Sequence, residues 1–288
     1  IGILMRTSLV LIENPMHSLI VGMGALGQQL AAELIQNGHH VTGLRRTALQ
    51  VMGVRMLAQS VQQANLSTGE PIEQVYVILT PDRHDHASYQ QTFIDSIAPL
   101  RHALSGHPVQ RVYFISSTSV YGQNQGEWVD EQSFVQPRQY NGQILQAAEQ
   151  QWRQAYPEQL VVIRPSGIYG TDRLRLIQWL QVGRPVATQA WSNRIHSTDL
   201  AGFLAYLADQ PQVQPCYLAT DSAPVMQDEV LAGLAAMLDM PMVSREPCEM
   251  SGKRLRNQRL LDSGYQLRYP DWQSGYRAVL AQLSGESI

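Results

Sequence analysis

A chain of 288 residues has room for about two domains at ~150 residues each, or for one large domain with an appendage. With 44% hydrophobic and 16% charged residues it can bury a sizeable core, which excludes intrinsic disorder, and a net charge of -3 with no basic stripe disfavours a nucleic-acid binder built on phosphate contacts. Two cysteines, Cys216 and Cys248, exclude a disulfide framework and a four-cysteine zinc site. Of the 21 basic residues 20 are arginine, and Lys253 is the sole lysine.

Residues 1–15 do not begin with methionine; Met5 and Met16 are candidate starts, and an expression remnant is the alternative. Arg6 ahead of Leu9-Val10-Leu11-Ile12 faintly resembles a signal peptide, but Glu13-Asn14-Pro15 breaks the short run and no small-residue cleavage site follows. No apolar run reaches the ~18 residues of a membrane span. The expectation is a cytoplasmic protein with no membrane partner, in keeping with its few cysteines.

Ser18 to Met23 reads as a short buried strand, and Ala25 to Asn37 as a helix with Leu26, Leu30, Leu34 and Ile35 on one face, stopped by Gly38. Strands are predicted over His40 to Leu44, Val54 to Ala58, Val75 to Leu79, Arg111 to Ser116 and Leu160 to Arg164, and helices over His84 to Leu104 and Ile144 to Tyr156. Apolar strands separated by helices imply a doubly wound parallel α/β sheet covered on both faces. After Pro165 prolines multiply; Cys216 to Ala219 reads as a strand returning to the sheet, and Gln227 to Leu238 as a helix. The expected organisation is a dinucleotide-binding Rossmann domain over residues 16–170, to which 195–220 return, and a small interleaved C-terminal substrate subdomain over 171–194 and 221–288.

Gly22-Met23-Gly24-Ala25-Leu26-Gly27 is a G-x-G-x-x-G that follows a strand and opens a helix. Gly22 permits the tight turn, Gly24 lets a pyrophosphate approach the backbone, and Gly27 lets helix and strand pack closely. The helix N-terminus, at Ala25 and Leu26, offers free N–H groups to an anion. The second strand ends in Arg45-Arg46, where an NAD site usually has an acid for the ribose hydroxyls. Guanidinium groups suit a 2′-phosphate, so the sequence favours NADP over NAD.

Ile115-Ser116-Ser117-Thr118-Ser119-Val120-Tyr121-Gly122 resembles the strand-five motif of the extended short-chain dehydrogenases/reductases, the NAD(P)-dependent epimerases and dehydratases. Val162 to Gly170, Arg194-Ile195-His196-Ser197-Thr198-Asp199-Leu200-Ala201 and Asn257 to Pro270 resemble further segments of that family, in the expected order. The resemblance implies that Ser117 polarises a substrate oxygen, with Thr118, Tyr121, Arg194 and His196 on the substrate side. It also implies that Thr80, Pro81 and Ser116 lie along the cofactor, that Pro165 and Ile168 flank the nicotinamide, and that the chain forms a homodimer.

The family's Y-x-x-x-K pair is incomplete. Aligned on Ala147-Ala148-Glu149, Asn141 stands at the tyrosine position and Leu145 at the lysine position, and Tyr140 misses by one. Tyr140 remains the candidate acid/base, assisted by Arg138 or the cofactor's charge, provided the helix starts later. The incomplete pair is reminiscent of the atypical members. Gln59 or Ser60 stands where the family often has an aspartate near the adenine. Asp82-Arg83-His84-Asp85-His86 reads as a solvated loop with an acidic helix cap rather than a metal site, and no metal is expected. Gly-x-Ser-x-Gly is absent, which disfavours a hydrolase elbow.

Two functions remain open. One is an NADP(H)-dependent oxidoreductase or epimerase acting by hydride transfer at a secondary alcohol or carbonyl, on a sugar nucleotide or related small molecule. The other is a non-catalytic NADP(H)-binding or redox-sensing protein.

Overall fold

The computed structural model describes residues 15–67, 69–183, 185–241 and 244–285. The readings made of residues 1–14, and the last three residues of the small subdomain's span, lie outside the described residues.

The first half of the chain alternates strand and helix: β1 (His17–Val21), α1 (Ala25–Gln36), β2 (His40–Arg45), β3 (Val54–Ala58), β4 (Gln74–Val77), α2 (His86–Phe93), α3 (Ile97–Leu104) and β5 (Arg111–Ile115). Then come β6 (Trp128–Val129), α4 (Tyr140–Ala155), β7 (Leu160–Pro165), β8 (Gly167–Tyr169), α5 (Arg175–Gln181), β9 (Val186–Ala187), β10 (Trp191–Ser192), β11 (Arg194–His196), α6 (Ser197–Ala208) and β12 (Cys216–Ala219). The chain closes with β13 (Val225–Met226), α7 (Gln227–Met237), β14 (Arg245–Glu246), β15 (Arg254–Leu255), α8 (Gln258–Asp262) and α9 (Trp272–Ser284).

Seven strands form one parallel sheet in the order β12-β7-β5-β4-β1-β2-β3. This is the doubly wound arrangement, and its order reverses between β1 and β4. β1, β4 and β7 are buried along their whole length, as strands covered on both faces must be. Leu100, Phe114, Leu145 and Trp152 belong to the core under α2, α3 and α4. Leu30, Leu34, Phe203 and Leu204 belong to the core under α1 and α6. A third cluster, with Leu180, Val230, Leu234, Trp272 and Tyr276, joins α5, α7 and α9 beside the sheet. Helix α1 buries Leu26, Leu30, Ala31 and Leu34 and stops at Asn37, where Gly38 takes φ 87°. The N–H groups of Gly38 and His39 close the last turn on Ile35 and Leu34.

Two predicted helices have different bounds. The stretch 84–104 is two helices, α2 and α3. Pro99 has no N–H for the Asp95 carbonyl and its ring would clash there, so the chain turns at residues 94–96 and Pro99 falls in the first turn of α3. The helix predicted from Ile144 begins at Tyr140, four residues earlier.

Behind the ends of β5 and β7 lies a buried ion pair. Glu149 and Arg164 are 6% and 8% exposed. Arg164 donates through Nε to Glu149 Oε1 at 3.0 Å, through Nη2 to Oε2 at 2.5 Å, and through Nη1 to the Tyr121 hydroxyl at 2.7 Å. Ser116 Oγ donates to the same carboxylate at 2.6 Å. The pair ties α4, β7 and the segment after β5 into one network. Removing one member of such a pair leaves an uncompensated buried charge. Glu149→Ala is expected to lower the unfolding free energy by about 3–5 kcal/mol in urea titration. Glu149→Leu with Arg164→Met is expected to lose less than the two single variants together.

Candidate cofactor and substrate site

The turn between β1 and α1 is the tightest junction of the fold. Gly22 takes φ +108°, and a Cβ there would lie 2.0 Å from the Ile78 carbonyl oxygen. A Cβ on Gly27 would lie 2.3 Å from the Gly22 carbonyl oxygen. Gly24 differs: its backbone is extended and nothing lies within 4 Å of where its Cβ would be. Helix α1 has neither a side-chain cap nor an acid in its first turn. Its first N–H groups therefore have no partner from their own helix, and the positive end of its dipole carries no compensating charge. An open, uncapped, glycine-lined helix start fits a pyrophosphate group.

A cavity of about 400 Å³ opens beside this turn, lined by Gly22, Met23, Gly24, Leu44, Arg45, Arg46, Gln59, Ser60, Val61, Gln62, Ile78, Leu79, Thr80, Asp82, Gln91, Thr92 and Ser96. It collects the carboxyl ends of β1, β2, β3 and β4 at the sheet's switch point, where ligands bind in open α/β folds. Arg46 is spoken for: its Nη1 and Nη2 donate to both Asp82 oxygens at 2.6 and 2.5 Å, with both side chains exposed. The Arg46 hydrogen bond and charge hold the Asp82 carboxyl below its ordinary range. Arg45 has no ion pair among the described residues. Gln59 accepts from the Asn65 N–H at 2.8 Å, and the Ser60 hydroxyl faces Gln63. Gln91, Thr92 and Ser96 were not singled out from the sequence. They reach the cavity because the chain turns between α2 and α3, and Pro99 was the available signal.

The other predicted site residues are placed as follows. Ser117 sits at the head of a short 3-10 turn that Thr118 opens, and its Oγ accepts from the Ser119 N–H at 3.1 Å, leaving its own hydrogen to donate. Ser116 is turned inward to Glu149. Tyr121 is 2% exposed with its hydroxyl on Arg164, so it supports the site from behind. Pro165 ends β7, and Ile168 lies in β8. Pro81 follows Thr80 outside the cavity lining. Tyr140 opens α4 rather than preceding a later start, and its ring packs against His86 and Tyr89 of α2 at 5.9 and 5.6 Å. Leu145, at the lysine position, is a core residue.

Arg194 and His196 are 5% and 3% exposed. Arg194 helps line a cavity of about 170 Å³ with Ile168, Tyr169, Arg173, Arg175, Asn193 and Tyr276 among others. Burial lowers its pKa, opposed by Tyr276 and Asp221, and its buried Nη1 makes no hydrogen bond. Burial pushes the Asp221 carboxyl up to about 7, against the pull of a backbone N–H and of Arg194. His196 Nδ1 accepts from the Thr198 N–H and caps α6. Asp199 accepts from the N–H groups of Arg268 and Tyr269, which pins the closing segment. Asp85 caps α2 through the Ser88 N–H.

Known proteins agree with this architecture. The sequence model of the NAD-dependent epimerase/dehydratase family matches residues 18–213, and the chain belongs to that family. Protein YeeZ of Escherichia coli K12 is 25% identical over 272 residues, 88% of this chain and 96% of YeeZ. A Methylobacillus flagellatus structure, a candidate NAD-dependent epimerase/dehydratase, is 33% identical with a TM-score of 0.81, covering 94% of this chain and all of that one. The human epimerase family protein SDR39U1 with NADPH is 16% identical, with a TM-score of 0.75 over 92% of this chain and 99% of its own, a likeness of fold. Among the described residues no helix is long and apolar enough to cross a membrane.

Two of the glycines are expected to separate binding from stability. Gly24→Ala meets no atom of the folded chain, so its unfolding midpoint should match wild type while affinity for the nicotinamide dinucleotide falls at least about tenfold, or ~1.4 kcal/mol. Gly27→Ala should cost about 1–3 kcal/mol of stability, because backbone must move. His196 gives a pH test. Burial, with Arg268 adding, holds its pKa down to about 4 against 6.5 unfolded. The unfolded chain binds more protons between these values, so the stability His196 contributes at neutral pH is lost as the pH falls through that window. The difference in urea midpoint between wild type and His196→Gln should be largest near neutrality and narrow toward pH 4; a constant difference would show that the ring titrates normally.

Proposed function

We propose that the chain is an NADP(H)-using oxidoreductase or epimerase acting by hydride transfer at a secondary alcohol or carbonyl of a small molecule, such as a sugar nucleotide or related metabolite. The observation that carries this reading is the open Gly24 cradle at an uncapped helix start, next to a cavity with Arg45 and Arg46 in its wall. The bound nicotinamide supplies the hydride. Gly22, Gly24, Ala25, Leu26 and Gly27 hold the pyrophosphate at the start of α1. Arg45 takes the 2′-phosphate directly, and Arg46 joins it by exchanging the Asp82 carboxylate for the phosphate. Thr80, Pro81, Ser116, Pro165 and Ile168 border the cofactor's path, Ser116 through its backbone.

On the substrate side Ser117 donates its hydroxyl hydrogen to the reacting oxygen, and Thr118, Arg194 and His196 shape that end of the site. Tyr140 is this reading's candidate acid/base although α4 starts at it rather than after it, and its ring packs on His86 and Tyr89, so the acid/base role is the weakest part of the reading. The NADPH of the human structure agrees with the NADP choice, the NAD of other neighbours and of the family's name does not, and the two arginines are what favours NADP in this reading. A second reading, a non-catalytic NADP(H)-binding protein, is favoured by Leu145 in the core and Asn141 at the tyrosine position.

Paired fluorescence titrations with NADPH and NADH test the reading. NADPH is expected to bind more tightly than NADH, and Arg45→Ala/Arg46→Ala to lose about 1–3 kcal/mol for NADPH, as loss of charge-assisted bonds predicts. Equal or absent binding of both nucleotides would overturn it. NADPH oxidation across a carbonyl panel then separates the enzyme from the silent binder, and Tyr140→Phe separates an acid/base from a packing tyrosine.

A further inference from the structure

Arg46 and Asp82 stand on opposite sides of the glycine turn. β1 lies between β2 and β4 in the sheet. At its end the Gly22 N–H donates to the Leu44 carbonyl oxygen at 3.0 Å, and the Ile78 N–H donates to Val21 at 2.8 Å. Arg46 follows β2 and Asp82 follows β4, so their ion pair spans the end of β1. Each side is anchored on its own. The Arg45 carbonyl accepts from the Gln59 N–H at the end of β3. The Arg83 N–H donates to the Ser88 hydroxyl at 3.1 Å, and Asp85 caps α2 through the Ser88 N–H at 2.8 Å. Neither side needs the ion pair to hold it, and an exposed pair of this kind adds little to stability.

Asp82 is the one acid in the lining of the 400 Å³ cavity, against two arginines, and it spends both oxygens on Arg46. A carboxylate and a phosphate present similar paired oxygens to a guanidinium fork. Asp82 therefore occupies the donors that a 2′-phosphate needs. Arg46 is open to a phosphate only in the fraction of molecules in which the pair is broken, and apparent affinity falls by that fraction. Once displaced, the carboxylate faces the phosphate as a like charge. NAD(H) carries a ribose hydroxyl in place of that phosphate and makes no such demand on Arg46.

We propose that Asp82 is a selectivity residue of the cofactor site: its carboxylate competes with the 2′-phosphate for Arg46 and narrows the preference for NADP(H) over NAD(H). This rests on the reading that the cavity takes NADP(H) with its 2′-phosphate on Arg45 and Arg46. It gives a role in discrimination to an acid on the loop after β4, 36 positions from the arginine it occupies.

The test measures dissociation constants for NADPH and NADH by nicotinamide fluorescence, on the full chain, at one fixed ionic strength. Wild type is compared with Asp82→Asn and Asp85→Asn. Asparagine keeps the shape of the side chain and removes its charge, and at position 85 it still caps α2. Asp82→Asn is expected to raise the ratio of NADPH to NADH affinity several-fold, through tighter NADPH, with an unfolding midpoint near that of wild type. Asp85→Asn removes the same charge from the same loop and should move the ratio far less. A ratio that Asp82→Asn leaves unchanged or lowers overturns the proposal, because a merely structural role would move both nucleotides alike. An equal rise in Asp85→Asn also overturns it, since any nearby charge would then do the same. If neither nucleotide binds any of the three proteins, the cofactor reading itself falls and the proposal falls with it.

Discussion

The first βα turn admits no side chain at two of its three glycines, and the rest of the structure is built around that closeness. A Cβ on Gly22 would strike the Ile78 carbonyl at the end of β4, and one on Gly27 would strike Gly22 itself. Strand, helix and neighbouring strand therefore meet backbone to backbone. That contact seats α1 against β1, sets β4 beside β1 and opens the crevice where the strand order reverses. Gly24 stands in the same turn under no such constraint from the protein. A glycine that the fold does not require is best explained by something that comes close from outside.

The sheet was legible because its signals are local. Short strands of four to six residues and a stop such as Gly38 are written in adjacent positions, and they gave β1, β2, β3, β5, β7 and β12 to within a residue or two. The misplaced bounds arose where a local rule competes with another. The apolar pattern of 84–104 continues through residues 94–96, but Pro99 forbids the helix hydrogen bond there. The early start of α4 is set by packing: Tyr140 rests on Tyr89 and His86, a contact no spacing rule carries.

The same division runs through the site. Its cofactor half is one motif plus the ends of consecutive strands, and the glycines and Arg45 could be named from the chain alone. The Arg46–Asp82 pair could not, because 36 residues separate its members. Other contacts of the C-terminal segment span longer distances still. Lys253 reaches Tyr121 across 132 positions, and Asn193 meets Lys253 across 60.

The leucine at position 145 has a structural reason of its own. At position 145 a lysine would have to emerge from a helix whose neighbours Ile144, Ala148 and Trp152 are core residues, and here a leucine completes that core instead. The cost of a half-buried ammonium is met elsewhere, where Glu127 and the Tyr121 carbonyl receive it. Glu149, four residues beyond position 145, also meets a cation, but from the sheet: Arg164 holds it together with Ser116 and Tyr121. The network that positions the strand-five segment is therefore independent of the missing pair. A chain built this way keeps the frame around Ser117 in place through Ser116, Tyr121, Glu149 and Arg164, whatever stands at position 145.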